Sequence, residues 1–368
     1  MLNSLFKLEE NWVVFYDLFS KNGNGDSIRP IAEELRRRRP DMKFFFCTKA
    51  KKKYRLSHID MADELLVIGS LRFNYVCSKA KYIVSNMSFP NKGKKRKGQV
   101  FIATWHGCGV KKGFLSRDKN NIKFQKYAKQ FESADAFCLQ GESTRPHLME
   151  TFNLKSEQFI ESGLPRNDIL FKDNEDFKLE LKKKLNLPLD KKVILYCPTW
   201  RRYDHKAVLP FDLENFKEKL KDEYVFLIRS HVGKHTWVDS KNRPINLFDN
   251  EFTFDGGAYP ESTHLYLITD VFVSDYSSAV YDFAITRKPQ IFYIYDLDEF
   301  SKEFGLFYDL RTFSPFPKAE TEEELLNSIK NLNIDEKDYE EFLNTHLSYE
   351  KGNASQIIVD KMLNSNLE

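Results

Sequence analysis

Short apolar runs with strand character alternate with amphipathic helical segments along this chain, and they do so in two series. The first series predicts strands at 12–16, 43–48, 64–68, 82–85, 100–104 and 136–139, with helices at 27–39 and 120–134. The second predicts strands at 193–197, 224–228, 271–273 and 290–293, with helices at 212–221, 261–268, 278–286, 322–331 and 355–364. Strands that alternate with helices pair in parallel sheets, so the pattern predicts an α/β protein with two doubly wound domains facing a cleft.

An acidic, polar stretch at 172–180 separates the two series. We therefore expect an N-terminal domain over 1–172, a C-terminal domain over 173–345, and a helical segment over 346–368 that is a candidate to cross back to the first domain. A length of 368 residues suits two domains of ordinary size. The sequence has no apolar run long enough to span a membrane, so we expect no membrane span. The N-terminus has no small-residue cleavage site, so we expect no signal peptide. Five scattered cysteines without a CxxC pair indicate free thiols in a reducing cytoplasm.

The net charge of +3 conceals a strong asymmetry between the two halves. Residues 1–172 carry 32 Lys and Arg against 18 Asp and Glu, whereas residues 173–368 carry 25 against 36. The basic half concentrates its charge in Arg36–Arg39, Lys49–Lys53 and Lys92–Lys97. This asymmetry suggests an anionic partner, which could be an anionic membrane surface, a polyphosphate chain or nucleic acid. The lysine runs lack interleaved aromatic residues and no nucleic-acid-binding motif is recognised, which argues against nucleic acid.

The stretch LITDVFVSDYSSAVYD at 267–282 reads as strand, tight turn and helix. Ser277 and Ser278 then lie at a helix start, where unpaired N–H groups and the helix dipole favour an anion such as a nucleotide pyrophosphate. Asp275 precedes them in the turn. The simpler alternative is that the two serines only cap the helix.

Further polar clusters follow predicted strands. His106 and Gly107 lie in TWHGCGVKK, where Lys111 follows, and a histidine beside small glycines can reach a ligand and titrate near neutral pH. Arg229 and His231 lie in LIRSH, on alternate positions that allow both to face one phosphate. The remaining candidates are Thr199 and Arg201 in YCPTWRR, and Arg166, Asn167 and Asp168 in GLPRND.

Taken in order, the motifs TWHG…K, GLPRND, YCPTWR, RSH and SDYSS…DFAITRKPQIFYIYDLDEF resemble those of the CDP-glycerol glycerophosphotransferase family. This family contains teichoic-acid primases and polymerases and related capsule enzymes. The resemblance runs from about residue 12 to residue 363. It implies a GT-B-like fold and the transfer of an alditol phosphate from a CDP-alditol to a lipid-linked, polyprenyl diphosphate acceptor, with release of CMP.

The resemblance also implies roles for the candidate residues. His106 resembles the general base that takes the acceptor proton, and His231 resembles a partner of the donor phosphate or leaving group. Ser277 and Ser278 resemble the hydroxyls that hold the donor pyrophosphate. The further donor-side candidates are Asp275, Arg229, Thr199 and Arg201, and the acceptor-side or cleft candidates are Gly107, Lys111, Arg166, Asn167 and Asp168.

The resemblance leaves several points open. The family commonly has Thr-Pro-Leu-Lys after WHG, whereas this chain has Cys108-Gly109-Val110-Lys111, so the acceptor is not defined. The donor is CDP-glycerol or CDP-ribitol, and a nucleotide-sugar transferase and a catalytically inactive scaffold are the alternatives. No cofactor or metal is required for this chemistry, although Asp270, Asp275 and Asp282 keep Mg²⁺ open. We expect a peripheral enzyme on the cytoplasmic, inner face of the cell membrane.

Overall fold

The computed structural model describes residues 7–17, 25–49, 61–90, 95–107, 109–172, 174–199, 201, 207–229, 237–239 and 243–364. The chain divides into two compact units. The first unit consists of Met1–Cys108, Gly113–Phe171 and Thr345–Glu368, and the second of Gly109–Lys112 and Lys172–Asn344.

The strands are β1 (Glu9–Tyr16), β2 (Lys43–Thr48), β3 (Glu64–Val67), β4 (Ala80–Ser85), β5 (Val100–Ala103), β6 (Ala136–Cys138), β7 (Phe159–Ile160), β8 (Lys192–Cys197), β9 (Ala207–Val208), β10 (Tyr224–Ile228), β11 (Trp237–Val238), β12 (Thr253–Asp255), β13 (Val271–Ser274), β14 (Gln290–Tyr293) and β15 (Lys318–Ala319). The helices are α1 (Ile28–Arg38), α2 (Leu71–Lys79), α3 (Phe114–Arg117), α4 (Ile122–Ala128), α5 (Arg145–Phe152), α6 (Glu175–Lys184), α7 (Leu213–Leu220), α8 (Ser262–Leu267), α9 (Ala279–Ala284), α10 (Leu297–Phe304), α11 (Glu322–Lys330), α12 (Glu336–His346) and α13 (Ala354–Asn364). Short 3-10 turns lie at Glu142–Thr144, Ser156–Gln158 and Pro165–Phe171.

The first unit is built on a parallel sheet with the order β3-β2-β1-β4-β5-β6-β7. Alternate residues of each strand enter different cores, as the two-residue period of a strand requires. Val13 and Phe15 pack under α1 and α13, whereas Val14 packs on the opposite face with the helix α2. Helix α13 contributes Ile358, Val359 and Met362 to the first of these cores. The last helix is therefore part of the first unit.

The second unit is built on a parallel sheet with the order β12-β10-β8-β13-β14-β15. One face packs on α7 and α11. Helix α7 buries Phe216 and Leu220 there, and helix α11 buries Leu325 and Ile329. A separate parallel pair joins β9 to β11. Both large sheets thus have the doubly wound arrangement that the alternating sequence predicts.

Most predicted elements are confirmed, and β2, β10 and β14 have the predicted bounds. The acidic stretch at 172–180 contains the start of helix α6, at Glu175, for which sequence analysis predicted no element. Only Leu181 of this helix is buried, although Phe177 and Leu181 have the four-residue spacing of an apolar helix face. Within the described ranges, no helix has the length and apolarity needed to cross a membrane.

Candidate active site

The strand order of the second sheet reverses between β8 and β13, and a buried polar cluster lies just beyond these strands. Strand β8 ends at Cys197 and leads to Thr199, and β13 ends at Ser274 and leads to Asp275. Open parallel sheets bind ligands at such a reversal, beyond the carboxyl ends of their strands. This edge is the candidate site of the second unit.

Asp275 connects the two segments that follow these strands. Its side chain is buried, and both carboxylate oxygens accept hydrogen bonds from the N–H of Thr199, at 2.9 and 3.1 Å. One of them, Oδ1, also accepts from the N–H of Tyr276 at 2.7 Å. These bonds fix the turn that presents Ser277 and Ser278.

Arg201 is buried between two carboxylates. Its Nε donates to Asp296 Oδ2 at 2.6 Å, and its Nη2 donates to Asp296 Oδ1 at 2.9 Å and to Asp275 Oδ2 at 2.8 Å. Burial alone would lower the Arg201 pKa, but Asp275 and Asp296 keep it above its ordinary value. The charge predicted to neutralise a phosphate is thus directed at the protein's own carboxylates.

The two serines at the start of α9 differ from each other. Ser277 Oγ accepts a hydrogen bond from the N–H of Ala279 at 3.2 Å, which is the capping role considered from the sequence. Ser278 is the N-cap residue, but its side chain makes no capping hydrogen bond. Because Ser278 is partly exposed, its hydroxyl is available to a ligand.

The Thr199 hydroxyl is a further polar group at this edge. Its oxygen is buried and has no hydrogen-bond partner among the residues that the structure describes. Nearly all buried polar groups in proteins are hydrogen-bonded, so this exception leaves a hydroxyl that could bind a ligand at the strand end.

Arg229 follows β10 and is held by its own unit. Its Nη1 donates to the carbonyls of Gly256 and Tyr259 at 2.8 and 2.6 Å, and its Nη2 donates to Pro260 at 3.0 Å. Arg229 therefore secures the 256–260 turn. The other half of the RSH motif, His231, lies outside the described residues.

His106 follows β5 in the first unit, where the backbone turns sharply. Trp105 has a φ of +53° and Gly107 a φ of +100°. The Trp105 ring is packed edge-on against Phe131 and Phe152, with centroids 5.7 and 4.7 Å away, which holds the strained backbone in place. His106 stays partly exposed beside that ring, with centroids 3.7 Å apart. Strain maintained by packing is typical of functional residues and costs about 1–3 kcal/mol.

The GLPRND motif has structural contacts in the first unit. Arg166 donates to Asp26 at 3.0 Å, and Asn167 Nδ2 donates to Glu350 at 2.9 Å. The Asp168 carboxylate accepts from the N–H groups of Ala354 and Ser355, both at 2.9 Å, at the start of α13. These residues bind the returning C-terminal segment to its unit.

The segment Gly109–Lys112 groups with the second unit, although the sequence boundaries place it in the N-terminal domain. The N–H of Lys112 donates to Gly305 O at 3.0 Å, and the N–H of Phe307 donates to Val110 O at 2.8 Å. Lys111 lies on this short antiparallel bridge, opposite Leu306.

Sequence reasoning missed a second polar network, where the strand order of the first sheet reverses between β1 and β4. Asp17 follows β1 and accepts from Asn86 Nδ2 at 2.8 Å and from the N–H of Gly25 at 3.2 Å. Asn86 follows β4 and is fully buried. Polar residues directly after two neighbouring strands were the available signal.

Sequence reasoning also assigned no role to Asp296 or Tyr276, which complete the Arg201 cluster. The Tyr276 hydroxyl donates to Asp296 at 2.9 Å, and its ring stacks on Phe300 at 3.8 Å. Burial, with the negative charge of Asp296, raises the Tyr276 pKa. Asp296 follows β14 in the YIYDLDEF motif, so its place after a strand was visible in the sequence.

Two of the three carboxylates considered for Mg²⁺ have protein partners. Asp275 binds Arg201, and Asp270 accepts from the N–H of Val193 at 2.8 Å. Over the described ranges, no group of three or more His, Cys, Asp or Glu residues has an arrangement that holds a metal ion.

Comparison with known sequences gives a match along nearly the whole chain. Residues 1–364 match the family model for CDP-glycerol:poly(glycerophosphate) glycerophosphotransferase. The teichoic acid glycerol-phosphate transferase of Staphylococcus aureus is 32% identical over 313 residues, which cover 78% of this chain and 77% of that protein. The teichoic acid poly(glycerol phosphate) polymerase of Bacillus spizizenii is 31% identical, over 80% of this chain and 77% of that protein.

Solved structures agree with the sequence matches. A variant of the wall teichoic acid polymerase TagF superimposes with a TM-score of 0.85 at 26% identity, covering 99% of this chain and 92% of that chain. This likeness identifies the fold as GT-B-like, as expected from the sequence. The UDP-GlcNAc 2-epimerase of Neisseria meningitidis, with a TM-score of 0.58 at 15% identity, shares the fold alone.

Proposed function

This chain belongs to the CDP-glycerol:poly(glycerophosphate) glycerophosphotransferase family, and from that premise we propose that it transfers glycerol phosphate from CDP-glycerol to a lipid-linked acceptor. The acceptor is a polyprenyl diphosphate-linked saccharide or polymer of teichoic-acid or capsule-like synthesis. Its hydroxyl oxygen attacks the phosphorus that carries glycerol. The bond from that phosphorus to the bridging oxygen breaks, and CMP leaves with the bonding electrons.

The observation that carries this proposal is the arrangement around Asp275 in the second unit. Asp275 fixes a turn in which the Ser278 hydroxyl makes no capping bond, and the neighbouring Thr199 hydroxyl is buried without a described partner. Hydroxyls and backbone N–H groups at such a turn suit the oxygens of a diphosphate. We assign the CDP-alditol diphosphate to this turn.

We assign proton removal from the acceptor to His106. A histidine loses or gains a proton near neutral pH, and His106 combines partial exposure with a tightly held backbone. A ring nitrogen takes the hydroxyl proton as the new phosphorus–oxygen bond forms. From its motif, His231 has the complementary role of stabilising the donor phosphate or the leaving CMP.

The remaining predicted residues make structural contacts that hold the segments around these groups in place. Arg201 and Arg229 position the segments after β8 and β10, and Arg166, Asn167 and Asp168 hold the first unit together through contacts with Asp26, Glu350 and α13. Phosphoryl transfer depends mainly on positioning and charge stabilisation, so these groups serve it without a metal in this proposal.

One observation favours CDP-ribitol as the second candidate donor. The teichoic acid poly(ribitol-phosphate) polymerase of Bacillus spizizenii is 30% identical over 342 residues, covering 90% of this chain and 53% of that protein. The transfer chemistry is the same for both alditols, so only the donor would change.

The test is CMP release from CDP-glycerol, with and without a lipid-linked disaccharide acceptor analogue and with EDTA present throughout. We expect acceptor-dependent release that falls by about 10²–10⁴-fold in His106→Ala, because a general base contributes about that much. His147→Ala, on α5 of the same unit, is the control and should retain activity. If CMP is released from CDP-ribitol but not from CDP-glycerol, the donor is CDP-ribitol and the mechanism stands. If CMP is released from neither donor, the proposal is wrong.

We further propose that the enzyme meets its acceptor at the anionic inner face of the cell membrane, through the surface of α4. The run Arg36–Arg39 is a poor candidate because these arginines pair with Asp63, Glu34 and Asp41. On α4, Ile122 is 65% exposed. Lys119, Lys123 and Lys126 are exposed nearby and form no salt bridge with any described residue. An apolar side chain among lysines is typical of a membrane-surface helix.

Sedimentation with anionic vesicles tests this surface. Replacing the three lysines by Glu should weaken binding by about 10²-fold or more, since each basic residue near such a surface contributes about 1 kcal/mol. The matched control replaces Lys183, Lys219 and Lys221, three exposed lysines of the second unit, and should bind nearly as the native chain does. Equal losses in the two variants, or binding that ignores salt, would count against the α4 surface.

A further inference from the structure

We propose that Lys111 is a ligand of the donor diphosphate and not, as the sequence suggested, a residue on the acceptor side. The proposal rests on the proposed function, because it assumes that a CDP-alditol binds at the Asp275–Ser278 turn. Lys111 follows His106 in the sequence, but it would serve as a cation of the second unit, to which the diphosphate is assigned.

The backbone of Gly109–Lys112 is held by the second unit. Two hydrogen bonds, from Lys112 N–H to Gly305 O at 3.0 Å and from Phe307 N–H to Val110 O at 2.8 Å, flank Lys111 on both sides. A residue between two such bonds has a fixed backbone position. Lys111 is therefore positioned by the unit that carries the diphosphate turn.

The same segment passes directly beside the start of α9. A Cβ built on Gly109 would stand 3.4 Å from the backbone nitrogen of Ser278 and 3.6 Å from its Cβ. The chain thus reaches the Ser277–Ser278 turn two residues before Lys111. Lys111 lies two residues further along, at most about 7 Å of chain away, so its long side chain is within reach of a phosphate bound at that turn.

The ammonium of Lys111 has charged groups of both signs near it in the second unit. Asp275 and Arg201 are the charged groups that act on it, and the Phe304 ring is 6.0 Å from Nζ. Burial lowers the Lys111 pKa, Asp275 partly offsets this shift, and Arg201 adds to it. Asp275 already binds Arg201 and the N–H of Thr199, and Lys111 has no salt bridge or hydrogen bond from Nζ within the described part of the chain. A desolvated cation of this kind is stabilised by an added anion.

Lys288 shows how a purely structural lysine of the same unit differs. Its Nζ donates to the carbonyls of Leu267 and Thr269, at 3.0 and 2.6 Å, so its charge is satisfied by the backbone. Lys111 is likewise desolvated but has no such carbonyls among the described residues. The neighbouring Lys112 extends along Gly305 toward the Phe307 ring, 5.9 Å from Nζ, and serves as a matched control.

The experiment measures binding of CDP and of cytidine by calorimetry to the native chain and to Lys111→Met, Lys111→Arg and Lys112→Met. In Lys111→Met we expect the Kd for CDP to rise about 10- to 100-fold, the range for loss of a charge-assisted hydrogen bond, while cytidine binding stays unchanged. The salt dependence of CDP binding should also become shallower. Lys111→Arg should restore most of the affinity, and Lys112→Met should bind CDP as the native chain does.

The outcomes separate this inference from the function on which it rests. If the native chain binds CDP and Lys111→Met binds it equally well, the inference is wrong while the donor assignment stands. If Lys111→Met loses cytidine and CDP alike, the residue acts through structure and the inference is again overturned. If the native chain binds no cytidine nucleotide, the proposed function fails first, and the Lys111 assignment fails with it.

Discussion

Arg201 and Asp275 show how single residues of this chain combine a structural and a chemical role. The guanidinium joins Asp275 to Asp296, and Asp275 in turn receives the N–H of Thr199. The Arg201 guanidinium therefore stabilises the turn at Asp275, where we propose that the diphosphate binds. Thr199 and Arg201 follow β8, Asp275 follows β13 and Asp296 follows β14, so their meeting depends on the parallel sheet.

Asp275→Asn should destabilise the second unit by about 3–5 kcal/mol, because it leaves Arg201 buried with one carboxylate fewer. Urea unfolding followed by fluorescence measures this loss. Asp298→Asn is the control, since Asp298 meets Arg311 at 3.7 Å in an exposed pair, where about 0–1 kcal/mol is expected. Similar small losses in both variants would show that the buried cluster contributes no more than a surface pair.

Among the elements, α13 depends most on distant sequence. Its first turn is capped by Asp168, which takes the N–H groups of Ala354 and Ser355 and the Ser355 hydroxyl at 2.6 Å. Its apolar side completes the core under β1 and β4. The C-terminal segment, which sequence analysis gave as a candidate to cross back to the first domain, groups with the first unit.

Asp168→Ala should lower the free energy of unfolding of the first unit by about 1–3 kcal/mol, through the lost cap and the unsatisfied N–H groups. Thermal or urea unfolding provides the measurement. Asp338→Ala, at an exposed position of α12, should change stability by no more than about 0.5 kcal/mol. An Asp168 variant as stable as this control would exclude the capping role.

At the scale of the whole molecule, local patterns predicted the sheets well, and long-range pairing accounts for what they missed. Strand β10 is a continuous apolar run between Glu223 and Arg229, so the sequence alone marks its ends. The grouping of Gly109–Lys112 depends on backbone bonds to residues almost 200 positions away, and no local pattern records such bonds. For the same reason the sequence indicated Arg201 as a cation without revealing its carboxylate partners.

The return of the chain to its first unit has a consequence for how the protein is made. On a ribosome, residues 172–344 of the second unit are all synthesised before α13 exists. Until then, the face of the first sheet that receives Ile358, Val359 and Met362 is covered by α1 but lacks the cover of α13. The unit begun first during translation is therefore completed last, and a nascent chain arrested before residue 354 would carry exposed apolar surface of the kind that chaperones bind.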